Sequence, residues 1–229
     1  MELKEAIASR YSARAFLDRP VSLAAVQRIL EGAAQSPSGG NLQPWHVDVL
    51  AGPALKALIA EVVDKLPTQP KGEPPEFPIY PEKLKEPYRT RRFECGEDLY
   101  AAIGIPREDR PARLRQFARN LECFGAPVAL FFSLDRTMGV NQWAHLGMMM
   151  QTVMLLAREE GLDTCAQEAW SVWHETVARH IDLPPERQFF CGMALGYADE
   201  AAPINQWRTR RAELSEWTRF HGFSEATPE

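Results

Sequence analysis

Arg10-Tyr11-Ser12-Ala13-Arg14-Ala15-Phe16 sets two guanidinium groups four residues apart, with a serine hydroxyl between them. Arginine binds an oxyanion through two parallel charge-assisted hydrogen bonds, a geometry that lysine cannot copy. By itself such a turn is more often a solvated basic patch than a fork for one phosphate. The other end of the chain carries a second basic cluster, Arg208-Thr209-Arg210-Arg211. Neither a G-x-G-x-x-G run nor a Walker lysine lies between them, so a phosphorylated ligand would need other donors. From that shortage of alternatives we expect the two clusters to converge on a single phosphate, which requires a fold that brings its two ends together.

Upstream of the turn, Leu3, Ala6 and Ile7 share a helical face. Downstream, Ser22 is placed to cap a helix whose buried stripe is Leu23, Val26, Ile29, Leu30 and Ala33. That helix stops at Ser36-Pro37-Ser38-Gly39-Gly40-Asn41, and a strand-like alternation, His46-Val47-Asp48-Val49-Leu50, follows Gln43-Pro44-Trp45. The glycine pair reads either as a flexible helix-to-strand connection or as backbone able to approach a flat ligand closely. A further helix is expected over about 54–66. Residues 67–87 then hold seven prolines, which excludes regular structure and marks a surface excursion, a lid or a wrapping arm.

Two helical stretches, about 88–102 and 107–124, carry many arginines, which read as solvated faces or, for one of the first group, as a contact to an anionic substrate. Val128–Phe132 and Phe189–Gly196 are apolar runs of the kind found in strands buried on both faces. Residues 141–160 are apolar nearly all round, which predicts the central helix of the fold, with its methionines as core filler. Gly161-Leu162 ends that helix, and one more helix is expected over about 171–181 before Pro184-Pro185.

At 229 residues, 45% hydrophobic and 25% charged, the chain is long enough for one sizeable core, and we expect a single domain over 1–229 with the excursion at 67–92. The net charge of −5 argues against a nucleic-acid binder. No stretch is long and apolar enough for a membrane span, and the first residues carry no signal-peptide pattern, so the expectation is a cytoplasmic protein. Cys95, Cys123, Cys165 and Cys191 lack metal-ligand spacing and read as free thiols, and no metal site is expected. With few strands between many helices, the order predicts an α+β domain whose small sheet is covered by helices rather than a doubly wound fold.

Taken in register, Arg10-x-Ser12-x-Arg14-x-Phe16, Pro37-Ser38-Gly39-Gly40-Asn41-x-Gln43-Pro44-Trp45-His46, the Gly161-Leu162-Asp163 turn with Glu168, and Leu195-Gly196-Tyr197 followed by Arg208-Thr209-Arg210-Arg211 resemble the FMN-dependent nitroreductase family. The likeness runs from residue 3 to about 217 and leaves out the proline-rich excursion and the arginine-rich helices after it. It implies a nitroreductase-like fold with a small, mainly antiparallel sheet, and an intertwined homodimer with two FMN sites at the subunit interface. The same likeness gives Arg10, Tyr11, Ser12, Arg14, Arg208 and Arg211 to the flavin phosphate and ribityl chain. Pro37, Ser38, Gly39 and Asn41 would reach the partner's flavin. Backbone around Gln167, Glu168 and Ala169 would face the flavin ring. Where family members often carry proline and glycine this chain has Ala166 and Ala169, and Thr209 stands where lysine is common.

The implied activity is ping-pong hydride transfer from NADPH or NADH, through the flavin, to an electron-poor small molecule such as a nitroaromatic or quinone. Reductive dehalogenation or enone reduction on the same flavin, and a non-catalytic flavin-binding protein, are the alternatives. No side chain is required as a proton donor, so no catalytic residue is named. Tyr88, Arg89 and Arg92, at the end of the excursion, are the candidates for contacting a substrate.

Overall fold

The structure, a computed structural model, describes residues 1–223. Helix α1 (Leu3–Ser9) leads through the arginine turn to α2 (Leu23–Ala33), which Ser22 caps by accepting from the Ala25 N–H at 3.2 Å. Strand β1 (His46–Ala51) and helix α3 (Gly52–Lys65) follow, then the irregular excursion. Beyond it come α4 (Tyr88–Ala102), α5 (Arg110–Ala118), β2 (Val128–Asp135), α6 (Val140–Glu159), β3 (Asp163–Gln167), α7 (His174–His180) and β4 (Arg187–Gly196). Two short helices, α8 (Pro203–Gln206) and α9 (Leu214–Trp217), lie in the tail.

The strands form one antiparallel sheet in the order β1-β2-β4-β3. Both faces are covered, which is why the first five residues of β2, Val128–Phe132, read as an unbroken apolar run. Val128, Leu130, Phe132 and Leu134 face a layer made by α2 and α6, with Ile29, Leu146 and Val153 at its centre. Ala129 and Phe131 face the opposite layer, where α3 and α7 supply Leu58, Val62 and Val177 around Trp170 and Trp173. Truncating a fully buried leucine such as Leu58 to alanine costs about 2–5 kcal/mol in cores of this kind.

A bulge sits in β4. Phe132 pairs with Cys191 and Ser133 with Phe189, so Phe190 has no partner across the strand. The extra residue switches the parity of the strand: Phe189 belongs to the α3/α7 layer although Cys191, two residues on, belongs to the α2/α6 layer. Phe190 itself turns toward Trp143 of α6, edge to face at 5.2 Å, and toward Phe77 of the excursion at 6.3 Å.

Several expectations are modified. The helix expected over 107–124 ends at Ala118 and continues as a 3-10 turn, Arg119–Gly125, in which Cys123, Phe124 and Gly125 have φ of 49°, 53° and 86°. Burial of Cys123 and Phe124, and the bond that the Phe124 carbonyl accepts from the Phe16 N–H at 3.2 Å, override local helical preference there. The helix expected over 171–181 starts as a 3-10 turn, Glu168–Trp173, and becomes α-helical at His174. Cys95 is exposed, whereas Cys123, Cys165 and Cys191 are buried free thiols. Helix α6 lies centrally but only one side of it is covered within this chain: Val140 is 82% and Met148 43% exposed. On α1 only Ala6 is buried, with Leu3 and Ile7 open.

The first half of the excursion is tied down. Gly72, at φ +76°, lies so close to the Val172 backbone that a Cβ would meet its carbonyl at 2.4 Å. Next to it the Glu73 N–H donates to the same carbonyl at 2.7 Å, and the Glu73 carboxylate accepts from the Glu175 and Thr176 N–H groups at the start of α7. Glu76 pairs with Arg136 at 2.7 Å, and Phe77 packs edge to face on Trp143 at 5.6 Å.

Candidate functional site

The arginine turn is stitched across the structure. Ser12 bridges Thr164 of β3 in parallel fashion, and the Ala13 N–H donates to the Thr164 carbonyl at 3.0 Å. Phe16 bridges Ala198, just past β4. The Arg14 N–H donates to the Asn205 Oδ1 of α8 at 2.7 Å, so the turn and the tail meet.

At this meeting point the two basic clusters converge. Arg10 is half-buried, and its guanidinium is held below its ordinary value first by desolvation and then by the charge of Arg211. Arg208 stacks over the Tyr11 ring at 3.8 Å and donates to the Asn205 carbonyl. Burial raises the Tyr11 hydroxyl, with the Asp163 carboxylate adding to it. Burial likewise raises the Cys165 thiol, opposed by Arg14, by the Ser12 hydroxyl and by Arg10, so all four groups share one neighbourhood. Arg14 donates to the Ser12 carbonyl at 3.1 Å, and Arg211 folds back on Thr209 and the Arg210 carbonyl.

Among the described residues, Arg10, Arg14, Arg208 and Arg211 form no salt bridge, whereas Arg28, Arg113 and Arg158 each hold a carboxylate at 2.5–2.6 Å. Like charges brought together against desolvation, with backbone carbonyls and the Thr209 hydroxyl as their acceptors among the described residues, make a donor set suited to an anion. A phosphate fits that set.

Strand β3 connects this anion site to the second group of candidates. Thr164, beside Ser12, and Gln167 are three residues apart on it, roughly 10 Å at about 3.3 Å per residue, and Glu168 follows directly at the start of the 3-10 turn. Gln167 is buried; its Nε2 donates to the Asn120 carbonyl at 2.6 Å, while its Oε1 is buried without a partner. Glu168 is exposed and has no cation partner among the described residues, yet desolvation by the surrounding chain holds its carboxyl above its ordinary range. Ala169 is half-buried against the α3/α7 layer.

The loop Pro37–Asn41 stands apart from the arginines. Ser38 Oγ accepts from the Gln43 N–H at 2.9 Å, and the Gly39 N–H donates to His145 Nε2 on α6 at 3.3 Å. Gly40 and Asn41 have φ of 59° and 52°, Pro37 and Asn41 are exposed, and the loop's hydrogen bonds run to itself and to α6.

Tyr88, Arg89 and Arg92 are also exposed and are not brought to the anion site. Arg89 pairs with Glu86 at 2.6 Å, and Arg92 stacks over Tyr80 at 4.2 Å. Farther along α4, Asp98 holds Arg210 at 2.8 Å, and a cleft of about 710 Å³ opens between α4 and the tail, with Arg91, Cys95, Trp207, Arg211 and Trp217 among its lining.

Sequence reasoning missed Thr164, Asn120 and Asn205. Asn205 is the most informative omission: it is 2% exposed, and its only sequence signal is a polar residue between Ile204 and Trp207, three positions before Arg208.

An antiparallel four-stranded sheet covered on both faces, with the arginine turn packed against the segment after β4, defines an α+β protein whose clustered arginines form a candidate anion site. The chain belongs to the nitroreductase family: the family model matches residues 7–197. It is 38% identical over 218 residues to the nitrobenzene nitroreductase of Ectopseudomonas oleovorans, covering 95% of this chain and 96% of that one. To the 4-nitrobenzoate reductase of Pseudomonas putida it is 36% identical over 217 residues, covering 95% and 94%. Among solved structures, the FMN and NADPH-dependent nitroreductase NfnB from sphigopyxis sp. strain HMH superposes with a TM-score of 0.95 at 45% identity, over 97% of this chain and all of that one. NfnB from Mycobacterium smegmatis, solved in complex with NADPH, gives 0.90 at 30% identity over 95% and 97%.

Among the described residues no helix is long and apolar enough to cross a membrane, and no group of three or more His, Cys, Asp or Glu is placed to hold a metal ion.

Proposed function

We propose that this protein is an FMN-dependent NAD(P)H oxidoreductase that reduces nitroaromatics and related electron-poor small molecules. The observation that carries the reading is the convergence of Arg10, Arg14, Arg208 and Arg211 on one place, none of them in a salt bridge among the described residues. The relatives named above, reductases of nitrobenzene and nitrobenzoate and flavin-dependent nitroreductases, supply the chemical class.

When bound, FMN supplies the hydride-carrying ring that links a nicotinamide donor to the acceptor. The chain's own residues hold it. Arg10, Arg14 and Arg211 grip the phosphate, Ser12 adds a hydroxyl, and Arg208 braces the Tyr11 ring beside the same site. The backbone of Gln167, Glu168 and Ala169 faces the ring and offers fixed dipoles where negative charge develops. No side chain in this set is required to deliver a proton, which solvent supplies in an open site.

The active form in this reading is a homodimer. Leu3 and Ile7 on α1, Val140 and Met148 on α6, and Trp217 and Phe220 in the tail are all exposed in one chain, and support a self-association surface. Pro37, Ser38, Gly39 and Asn41, which do not reach the chain's own arginines, then serve the partner's flavin. The chain is read as one domain acting in the cytoplasm. Tyr88, Arg89 and Arg92, at the mouth of the excursion, meet the substrate.

The test is anaerobic titration of the yellow protein with NADPH and with NADH, followed by reoxidation with nitrobenzene, 4-nitrobenzoate, a quinone, an enone and a halophenol. Bleaching by a nicotinamide and recolouring by the nitroaromatics is the expected outcome. A colourless protein that takes up no added FMN refutes the reading, and recolouring by the halophenol alone moves the activity to dehalogenation.

A further inference from the structure

We propose that Asn205 is a positioning residue that sets the aim of the arginine cluster, and so gives the site its selectivity for a phosphorylated over a non-phosphorylated flavin. The inference rests on the phosphate reading above. Asn205 sits on α8 and is 2% exposed. Its side chain is fully used: Oδ1 accepts from the Arg14 N–H at 2.7 Å, while Nδ2 donates to the Ala15 carbonyl at 2.7 Å and to the Asp199 carbonyl at 2.8 Å. Its own carbonyl accepts from the Arg208 guanidinium. One residue therefore fixes the backbone of the first cluster, the side chain of the second, and the segment leaving β4.

The geometry separates aim from charge. Asn205 contributes no charge to the anion, and its bonds go to the backbone that carries Arg14 and to the guanidinium of Arg208. A guanidinium grips a phosphate through directed, paired hydrogen bonds, so a shift of its anchor weakens the grip without removing the charge. Aspartate at 205 keeps shape and volume but turns the two donated bonds into carboxylate–carbonyl contacts and adds a negative charge beside the arginines, so the neutral alanine variant is the one that isolates aim from charge. Alanine removes all three side-chain bonds. Neither change touches β3 near Glu168, so the surface facing a flavin ring stays in place.

The experiment measures the dissociation constants of FMN and riboflavin for apoprotein prepared from wild type, Asn205→Asp and Asn205→Ala, by quenching of flavin fluorescence. Wild type is expected to prefer FMN strongly. Both variants should bind FMN about ten- to a hundredfold more weakly, the loss attached to misdirected charge-assisted bonds, with riboflavin affinity changed less than about threefold. Equal weakening of both flavins would make Asn205 a general structural pin and overturn the proposal, as would undiminished FMN preference. Failure of both variants to give folded apoprotein, read by circular dichroism, would overturn it in the same way. If wild type itself shows no preference for FMN over riboflavin, the phosphate reading fails first, which distinguishes the two.

Discussion

Replacing Arg211 by alanine tests the anion site from two sides at once. In the chain without ligand, Arg211 is one of two guanidinium charges that disfavour each other, and Arg10 is already desolvated beside it. Removing Arg211 costs the apoprotein nothing electrostatically, so its melting temperature should be equal to or above that of wild type. With FMN the sign reverses. A charge-assisted hydrogen bond is worth about 1.5–3 kcal/mol, so a loss of about 2 kcal/mol raises the dissociation constant about thirtyfold. At a ligand concentration of about 100 times the wild-type constant, binding stabilises wild type by about 2.7 kcal/mol, and the variant by about 0.9 kcal/mol. For 229 residues, an unfolding entropy of about 2.1 cal/mol/K per residue turns these into melting shifts of about 6 °C and about 2 °C. Differential scanning fluorimetry with and without FMN reads both numbers. An FMN shift in the variant as large as in wild type, or an apoprotein clearly less stable than wild type, would refute the reasoning, because Arg211 would then be a structural cation rather than a ligand donor.

Glu61 joins α3 to α7 by holding Lys65 and Arg179 at 2.6 Å and His180 at 2.8 Å. Hydrogen bonds from Lys65 first, then His180 and Arg179, depress its carboxyl to about 2. A depressed carboxylate stabilises the fold at any pH above its unfolded value and loses that contribution as pH falls toward about 2. Glu61→Gln should therefore lower stability near neutral pH by about 1 kcal/mol, the solvent-screened scale for a partly exposed network. Denaturant melts of the two proteins should converge in strong acid; a constant gap across pH would exclude the ionic account. Gly192→Ala places a Cβ 2.6 Å from Cδ1 of Trp170, which is fully buried. Overpacking of this kind costs about 1–3 kcal/mol, a fall in melting temperature of about 2–6 °C at this size; an unchanged melting temperature would mean that the indole has room to yield. Met148→Glu puts a charge on the open side of α6, where a lone chain should lose less than about 0.5 kcal/mol. A dimer seam there would have to bury that carboxylate, so light scattering should show a shift toward monomer with loss of bound FMN, and an unchanged dimer would exclude this face from the seam.

Much of the fold was legible because the signals were local. Ser22 could be read as a cap, Gly161 as a helix end, and the apolar run Val128–Phe132 of β2 as a strand covered on both sides, since each follows from one residue type in one short context. The turn at Cys123 and Phe124 was not legible: neither residue favours a left-handed backbone, and what holds them there is burial plus a hydrogen bond from Phe16, more than a hundred positions away. The bulge at Phe190 was hidden for a similar reason. Phe189, Phe190 and Cys191 are all apolar, so the change of parity leaves no mark in the pattern of hydrophobicity.

The same division runs through the site. Charges announce themselves by residue type, and Arg10, Arg14, Arg208 and Arg211 could be proposed as one cluster before any coordinates were known. What orders them is neutral. Thr164 lends a backbone carbonyl, Asn120 receives Gln167, and Asn205 ties the turn to the tail with an amide that nothing in composition or spacing separates from an ordinary surface asparagine. A periodic apolar face can mislead in the opposite sense. Leu3 and Ile7 on α1 lie open in this chain although their spacing predicts burial, as does the surface at Val140 and Met148 on α6. Hydrophobic spacing records the surroundings in which a sequence works, and a single chain covers only part of α6. The uncovered remainder lies on the helix whose His145 also receives the Gly39 N–H.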